Sequence, residues 1–298
     1  MSISIRLIIL LAVLSPLTQL VAYAGDSTIA YTRFVNGGAE IWLVDDDGAN
    51  NVRVGPGSDA SWSPDGNRLV FVQEVDGNSD IYFMDEDGSN VTQLTTDAAG
   101  EHSPTWSPDG SMIAFNSDRS GSDQVWRSNV EAGNWGFNLT QLTKDTAHNR
   151  VNNFVSWSPD GRWLAFEADR DRDDPEIYIA SSVDGTYQQR LTFTRALDEV
   201  PSWSPDSRQI IFSSDMHDEP QSGTYDIYIM NVDGSHLRRL TDTPGMASYP
   251  TMSSDGKRIA YSYQEQDKSS PQIWIMNSDG SGQRLLLEGG GIPHYAPK

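Results

Sequence analysis

The sequence predicts an all-β fold: a six-bladed β-propeller of four-stranded antiparallel blades, with the ring closed by the C-terminal strand. Two observations predict it, a motif that recurs along the whole chain and a blade that is divided between its two ends. The motif is Trp-Ser-Pro-Asp-Gly, which begins at Trp62, Trp106, Trp157 and, as a variant, Trp203. A weaker copy begins at Met252, and Tyr295 takes the Trp position of a sixth copy. Repeats spaced by 43 to 51 residues are typical of solenoids, propellers and arrays.

Each repeat accounts for four strands. In the second copy, strands are predicted over residues 103–107, 112–117, 124–127 and 141–143, and the last of these is the outermost. The turn at Pro108-Asp109-Gly110 suits a type I β-turn, because Pro presets φ and Gly closes the turn. Most third and fourth strands are joined by an Asp-Gly hairpin signal. Four antiparallel strands per repeat form one propeller blade.

The two ends of the chain together make the sixth blade. Residues 28–55 contain a blade without its first strand, and residues 292–297 contain a first strand without its blade. Joining them closes the ring and removes the open sheet edge that a linear repeat would expose. The domain prediction is therefore a signal peptide at residues 1–24 and a single propeller at residues 25–298.

The first 24 residues resemble a secretory signal peptide. Arg6 supplies a positive start, residues 7–14 are apolar, and Ala22-Tyr23-Ala24 is a cleavage site of the A-x-A type. The apolar run is shorter than a membrane span requires. We therefore expect cleavage after Ala24, no transmembrane span in the mature chain, and a periplasmic or secreted location. The chain has no cysteine, so it forms no disulfide and has no site for a lipoprotein anchor.

The net charge of −21 argues against nucleic acid and anionic membranes as partners, since both bind basic surfaces. We expect a monomer whose partner is an envelope or secreted protein or peptide.

The repeat resembles a known family. Residues 104–115 carry the pattern P-x-W-S-P-D-G-x-x-I-A-F, and residues 227–241 carry I-Y-x-M-x-x-D-G followed by L-T. Both patterns are similar to the TolB-type propeller repeat, over essentially the whole chain after residue 24. The resemblance implies a six-bladed propeller, as in a periplasmic protein of the Tol–Pal envelope system. That protein has a separate α/β domain ahead of its propeller; here the predicted signal peptide precedes the first blade, so the likeness is expected for the propeller alone.

The two ends of a blade differ in their connections. The Ser-Pro-Asp-Gly turns and Asp-Gly hairpins are nearly constant in length and fall at one end. The connections at the other end vary in length and include residues 144–153, 169–176, 215–226 and 263–272. Function on a scaffold concentrates in its variable loops. We call this end the long-loop face and expect it to bind the partner.

The residues just before each first strand are expected to surround the channel mouth on that face. They are Ser58, Glu101, His102, Asn152, Asn153, Asp198, Glu199, Ser248 and Gly291. This polar, acidic ring predicts a site for a cationic or polar group of a partner. Glu101, Asp198 and Glu199 are candidate ligands for Ca²⁺ or another divalent cation, because hard cations take carboxylate oxygens. A water-filled polar channel without a metal is the alternative, and no cofactor is certain.

Other residues are assigned to structure. The motif residues Trp62, Trp106, Trp157 and Trp203 are predicted to pack in the blade core, and Asp65, Asp109, Asp160 and Asp206 to form the turns. The sequence has no H-E-x-x-H, G-x-S-x-G or P-loop motif, so no residue is assigned to catalysis.

These observations favour an exported, non-catalytic binding or scaffold propeller that holds an envelope protein or peptide at the long-loop face and the acidic mouth. Two alternatives stay open. One is a metal-dependent enzyme of the polysaccharide lyase type, as the resemblance to related propellers implies, which would use mouth histidines; here His102 is the histidine at a clear rim position. The other is a glycan or small-molecule binder that uses the same mouth.

Overall fold

The computed structural model describes residues 27–130, 138–144, 152–170, 174–217, 223–268 and 270–297. These residues form 24 strands arranged in six four-stranded sheets. The predicted signal peptide, residues 1–24, lies outside the described residues. The described residues include no helix that could span a membrane.

The six sheets are the six blades, which we number in chain order. Blade 1 combines β1 (Thr28–Val35), β2 (Gly38–Asp45), β3 (Val52–Pro56) and the last strand, β24 (Gly291–Tyr295). Blade 2 contains β4 (Ser58–Trp62), β5 (Arg68–Val75), β6 (Asn78–Asp85) and β7 (Thr92–Gln93). Blade 3 contains β8 (Glu101–Trp106), β9 (Met112–Ser117), β10 (Gln124–Asn129) and β11 (Thr140–Gln141).

The second half of the chain repeats this order. Blade 4 contains β12 (Asn152–Trp157), β13 (Trp163–Ala168), β14 (Glu176–Ser181) and β15 (Gln189–Arg190). Blade 5 contains β16 (Asp198–Trp203), β17 (Gln209–Ser214), β18 (Asp226–Asn231) and β19 (Arg238–Arg239). Blade 6 contains β20 (Met246–Met252), β21 (Arg258–Gln264), β22 (Gln272–Asn277) and β23 (Arg284–Glu288).

The C-terminal strand closes the ring, as the sequence predicts. β24 pairs antiparallel with β1, with Ile29 opposite Tyr295 and Ala30 opposite His294. The all-β, six-bladed fold predicted from the repeat is therefore confirmed, including the division of blade 1 between the two ends.

The repeated Ser-Pro-Asp-Gly turn is held by its own side chains. In the first copy, the Ser63 hydroxyl donates to the Asp65 carboxylate at 2.6 Å and accepts the Arg68 amide at 3.0 Å. The Gly66 amide donates to the Ser63 carbonyl at 2.9 Å, with Gly66 at a φ of 71°. The serine–aspartate bond recurs in the copies at Asp109, Asp160, Asp206 and Asp255. The hydrogen bond from Ser63 lowers the pKa of Asp65, so this carboxylate is ionised at neutral pH.

The Leu-Thr that ends most repeats has a different role from the one predicted. The predicted fourth strands, for example residues 141–143, include this pair, but β11 ends at Gln141 and the other short outer strands end likewise before Leu-Thr. The reason is that the threonine hydroxyl replaces a strand bond. Thr143 accepts the Val125 amide at 2.9 Å and donates to the Gln124 side chain at 2.9 Å. Thr95, Thr192 and Thr241 accept the equivalent amides in their own blades.

The core lies between neighbouring blades. One cluster packs Trp157, Leu164 and Phe166 of blade 4 against Ala114 and Val125 of blade 3, all buried. Five similar clusters occupy the other seams, and each of Trp62, Trp106 and Trp203 is buried in one of them. Every blade therefore buries its apolar face against the next, and the ring is the unit that is stable.

We expect Thr143→Val to destabilise the protein by about 1–3 kcal/mol, because the buried Val125 amide and the Gln124 side chain each lose a partner. Thr92→Val, on the exposed outer strand β7, is the matched control and should change stability by less than about 0.5 kcal/mol. Urea unfolding measures both. Equal effects of the two substitutions would show that the threonine bridge is not what stabilises the blade edge.

Candidate functional site

The six inner strands surround a central channel, and each carries a β-bulge. The pairing of every inner strand with its neighbour shifts register part-way along the strand. In each bulge one residue has a φ of 49° to 54°, and these residues are Asp59, Ser103, Phe154, Val200, Tyr249 and Ile292. Left-handed backbone costs an L-residue roughly 1–2 kcal/mol, and a β-branched residue such as Val200 rarely adopts it. We call these six residues the bulge ring.

Side chains of the preceding blade stabilise the left-handed backbone by accepting hydrogen bonds from its amides. The amide of Asp59 donates to the Thr32 hydroxyl at 3.0 Å, and the amide of Ile292 donates to the Ser262 hydroxyl at 2.7 Å. The amide of Val200 donates to the Glu167 carboxylate at 3.1 Å. Each of these three acceptors lies on the second strand of the blade before, so these three bulges are also seam contacts.

In blade 3, a residue at a different position accepts the amide of the left-handed residue. The acceptor position on β5 holds the apolar Val72, which pairs with Ser58 as Ser262 pairs with Ser248 in blade 6. The amide of Ser103 donates instead to the Asp59 carboxylate at 2.8 Å. Asp59 is thus both a member of the bulge ring and an acceptor for its neighbour.

The bulge ring lines a cavity of about 100 Å³ in the middle of the channel. The rings of Phe154 and Tyr249 meet there edge to face, with centroids 5.6 Å apart. Toward the turn end follows a ring of hydroxyls and one imidazole: Ser61, Thr105, Ser156, Ser202, Thr251 and His294. Burial lowers the pKa of His294 to about 4, so its imidazole is neutral at physiological pH. Beyond that ring the channel widens between the motif tryptophans and prolines.

The predicted mouth residues divide into two groups. Glu101, Asn152 and Asp198, each the first residue of its inner strand, have fully buried side chains at 0% exposure. Gly291 is also buried, and the five others, which are Ser58, His102, Asn153, Glu199 and Ser248, are partly exposed. The same split applies to the candidate metal ligands, because only Glu199 of the three has solvent access.

Two of the buried members have hydrogen-bond partners in or next to their own blades. Glu101 accepts hydrogen bonds from Ser117 at 3.0 Å and from Arg119 at 2.7 Å. Asp198 accepts a hydrogen bond from Thr194 at 3.0 Å, and burial raises the pKa of Asp198 to about 6. Among the described residues, no group of three or more His, Asp and Glu side chains is arranged to hold a metal ion.

Histidines do not converge in the part of the chain that the structure describes. His102 lies 3.2 Å from Asp123 at the start of blade 3. His217 contacts the Tyr228 hydroxyl at 2.7 Å, His236 accepts a hydrogen bond from the Asn231 amide nitrogen at 2.9 Å, and His294 is inside the channel. His148 lies outside the described residues.

The seam between blades 4 and 5 places acidic groups beside the mouth. Burial raises the pKa of Glu167 well above its usual value, and the charge of Glu199 adds to this. Burial, followed by the charges of Asp215 and Asp198, raises the pKa of Glu199 to about 6. Tyr225 shares a hydrogen bond with Glu199, and burial raises the pKa of this tyrosine too. The mouth is therefore less negative at mildly acidic pH than its composition indicates.

Sequence reasoning missed Glu167 and the bulge ring. A signal for Glu167 was present, because it is the one charged residue in β13, which is otherwise apolar from Trp163 to Ala168. The bulge ring has no such signal, since its members include none of the glycine or asparagine residues that favour left-handed backbone.

The chain is similar to a known propeller family in sequence and to solved propeller structures in fold. The family model of the TolB beta propeller domain, PD40, matches residues 13–142 and 138–297, well over half of the chain. The chain belongs to this family. No curated protein matches it in sequence.

Solved structures share the fold at low identity. TolB from Acinetobacter baumannii has a TM-score of 0.76 and 22% identity, covering 92% of this chain and 68% of that one. A protein described as a TolB from Agrobacterium tumefaciens has a TM-score of 0.67 and 23% identity, covering 89% and 90%. An oligogalacturonate lyase in complex with manganese has a TM-score of 0.58 and 15% identity, covering 87% and 73%. At these identities the likeness shows the propeller fold.

We expect Val200→Gly to leave stability within about 1 kcal/mol of wild type, because relief of left-handed strain offsets the lost side chain. Val155→Gly, at a buried position of the neighbouring inner strand with ordinary backbone, is the matched control and should cost about 2–4 kcal/mol. Denaturant midpoints measure both. If Val200→Gly were as damaging as its control, the bulge would not be strained.

We also expect Glu167→Gln to flatten the pH dependence of stability. The folded-state pKa of Glu167 is raised, so its favourable contribution is present at low pH and is lost as pH rises above the unfolded value of about 4.5. The unfolding constant of the wild type should rise by up to about tenfold per pH unit in that window. Chemical denaturation from pH 5 to pH 8 measures this, with the exposed Glu74→Gln as control. A wild-type slope that survives in Glu167→Gln would assign the effect to other groups.

Proposed function

We propose that this chain is exported and acts as a non-catalytic binding propeller that holds an envelope protein or peptide at its long-loop face and channel mouth. Membership of the TolB beta propeller domain family supports a binding role. The predicted signal peptide at residues 1–24 supports a periplasmic or secreted location. The finer assignment, a role like that of TolB itself, follows the same resemblance.

The observation that carries the proposal is the contrast between the two ends of the blades. The connections from first to second strand in blades 2 to 6 are each five residues long. The connections from second to third strand, on the long-loop face, range from two residues, at 36–37 and 76–77, to eleven, at 215–225. Connections of constant length at the turn end are consistent with a structural role. Connections of varied length on the long-loop face are where a scaffold acquires a specific binding surface.

The mouth on that face suits a cationic or polar partner group. Polar residues of the mouth are partly exposed, among them His102, Asn153, Glu199 and Ser248. Among the described hydrogen bonds, none joins one of these four to an arginine or a lysine. The chain as a whole carries a charge of −21, which attracts a basic partner and accelerates its encounter. We infer that the partner presents basic or hydrogen-bonding groups to the mouth, and that the protein meets it as a monomer.

The proposal is tested with the mature chain, residues 25–298, as bait for an envelope extract of the source cells. A photo-crosslinking residue at Ser248 should capture the partner, and the same residue at Asp279, on the turn end, should not. Once identified, the partner should bind the Asn153→Ala, Glu199→Gln double variant about tenfold more weakly, because two mouth contacts are lost. Asp279→Asn removes an exposed acid of the turn end and should leave the affinity unchanged. Loss of binding in the turn-end variant alone would overturn the proposal.

The alternatives give different results in two simple assays. A lyase-type enzyme would cleave oligogalacturonate or a related polysaccharide with Mn²⁺ and lose that activity in His102→Ala. A divalent cation held by Glu101, Asp198 or Glu199 would raise the melting temperature over that in EDTA, since a ligand of the native state adds about 2.7 kcal/mol at 100 times its Kd. Polysaccharide cleavage would replace the non-catalytic assignment, whereas a stabilising cation alone would be compatible with it.

A further inference from the structure

The middle of the channel combines features that a cation requires. Of the described residues that line the cavity, Asp59 carries the one carboxylate, and none is lysine or arginine. The cavity also contains the Phe154 and Tyr249 rings in edge-to-face contact. From these observations we propose that Asp59, Phe154 and Tyr249 form a subsite for one primary ammonium group, such as the end of a lysine side chain. This deepens the proposed function, on which its link to a partner rests.

The carboxylate of Asp59 is held in place, and no lysine or arginine lines the cavity beside it. The Ser103 amide donates to it at 2.8 Å, which fixes its position in the bulge. Burial raises the pKa of Asp59, with the charge of His102 and the bonds from Ser103 acting in the opposite direction. Asp59 is partly exposed, so a cation that enters the cavity can reach its carboxylate, and a nearby positive charge favours the ionised form.

The aromatic pair supplies the rest of the subsite. Tyr249 is close enough to the acids that the charges of Asp59, Glu167 and Glu199 add to the effect of burial in raising the pKa of its hydroxyl. Acidic residues of blades 2, 4 and 5 therefore lie near Tyr249. An ammonium group over an aromatic face gains about 0.5–2 kcal/mol, more where water is excluded.

The dimensions restrict the ligand. A cavity of about 100 Å³ holds several water molecules. It accommodates an ammonium with a short alkyl segment, and a longer chain would have to extend along the channel. Hydroxyls at Ser61, Thr105 and Ser202 line the cavity on the side of the turn end and can accept the remaining ammonium protons.

Ethylammonium chloride is the probe, with sodium chloride at equal ionic strength and ethanol as the neutral isostere. Ethylammonium should raise the melting temperature of the mature protein, and neither control should do so. Asp59→Asn should weaken ethylammonium binding by at least about tenfold, the loss of a charged partner. This variant keeps the acceptor for the Ser103 amide, and asparagine tolerates left-handed backbone, so the fold is retained.

Two further variants separate the contributions. Phe154→Leu keeps an apolar side chain but removes one ring, and we expect binding to weaken several-fold. Asp279→Asn removes an exposed acid at the turn end and should bind as wild type does. Equal binding by Asp59→Asn and wild type, or an equal effect of sodium or ethanol, would overturn the subsite.

The source of the ammonium group is a separate outcome. If Asp59→Asn also weakens the captured partner, the subsite takes a lysine of that partner. If ethylammonium binds and the partner is unaffected by Asp59→Asn, the subsite takes a free amine, and partner binding at the mouth stands independently. If no partner is captured but ethylammonium binding depends on Asp59, the subsite stands and the proposed function fails.

Discussion

One type of hydrogen bond connects the channel to the seams between blades: at four of the six bulges, the amide of the left-handed residue donates to a side chain of the preceding blade. It is seen between Val200 and Glu167 and between Ile292 and Ser262. Left-handed backbone at such residues persists only where the surroundings hold it. Because the acceptor belongs to another blade, a displaced blade would leave a buried donor without a partner, at a cost of about 1–3 kcal/mol. The left-handed backbone of the inner strands and the contact between neighbouring blades therefore depend on the same hydrogen bonds.

The outer parts of each blade depend on local bonds instead. The Ser63–Asp65 pair closes a turn within five residues, and the Thr143 hydroxyl joins two adjacent strands of one blade. The serine–aspartate bond needs only a few residues in fixed order, and the threonine bond, although it spans 18 residues, uses the Thr of a repeated Leu-Thr pair, so both leave a recognisable motif. The seam bonds need an acceptor about 30 residues away, which is 33 residues in the case of Glu167 and Val200. That acceptor can be a hydroxyl or a carboxylate, so no motif results.

This difference explains what the sequence could and could not predict. The number of blades, the divided blade 1 and the second strand at Met112–Ser117 follow from local patterns, and the structure agrees with them. Which side chains of the inner strands face the channel could not be predicted in this way, because the simple alternation of side chains along a strand fails where a bulge adds a residue. Glu101 and Asp198 were therefore expected at an accessible mouth, whereas both are fully buried. Glu167, on a second strand, was not expected to accept a hydrogen bond from an inner strand of the next blade.

The same arrangement accounts for how a repetitive chain acquires an asymmetric channel. The bulge residues Asp59, Ser103, Val200 and Ile292 contribute a backbone amide to the seam, and every residue except proline carries that group. Apart from Asp59, whose carboxylate accepts the Ser103 amide, the side chains of the bulge ring can therefore differ from blade to blade. The blades with the larger or charged side chains are 2, 4 and 6, so they alternate around the ring with blades that carry smaller ones. The residues that line the channel therefore vary in chemistry, although the backbone of the six inner strands is alike at the bulge.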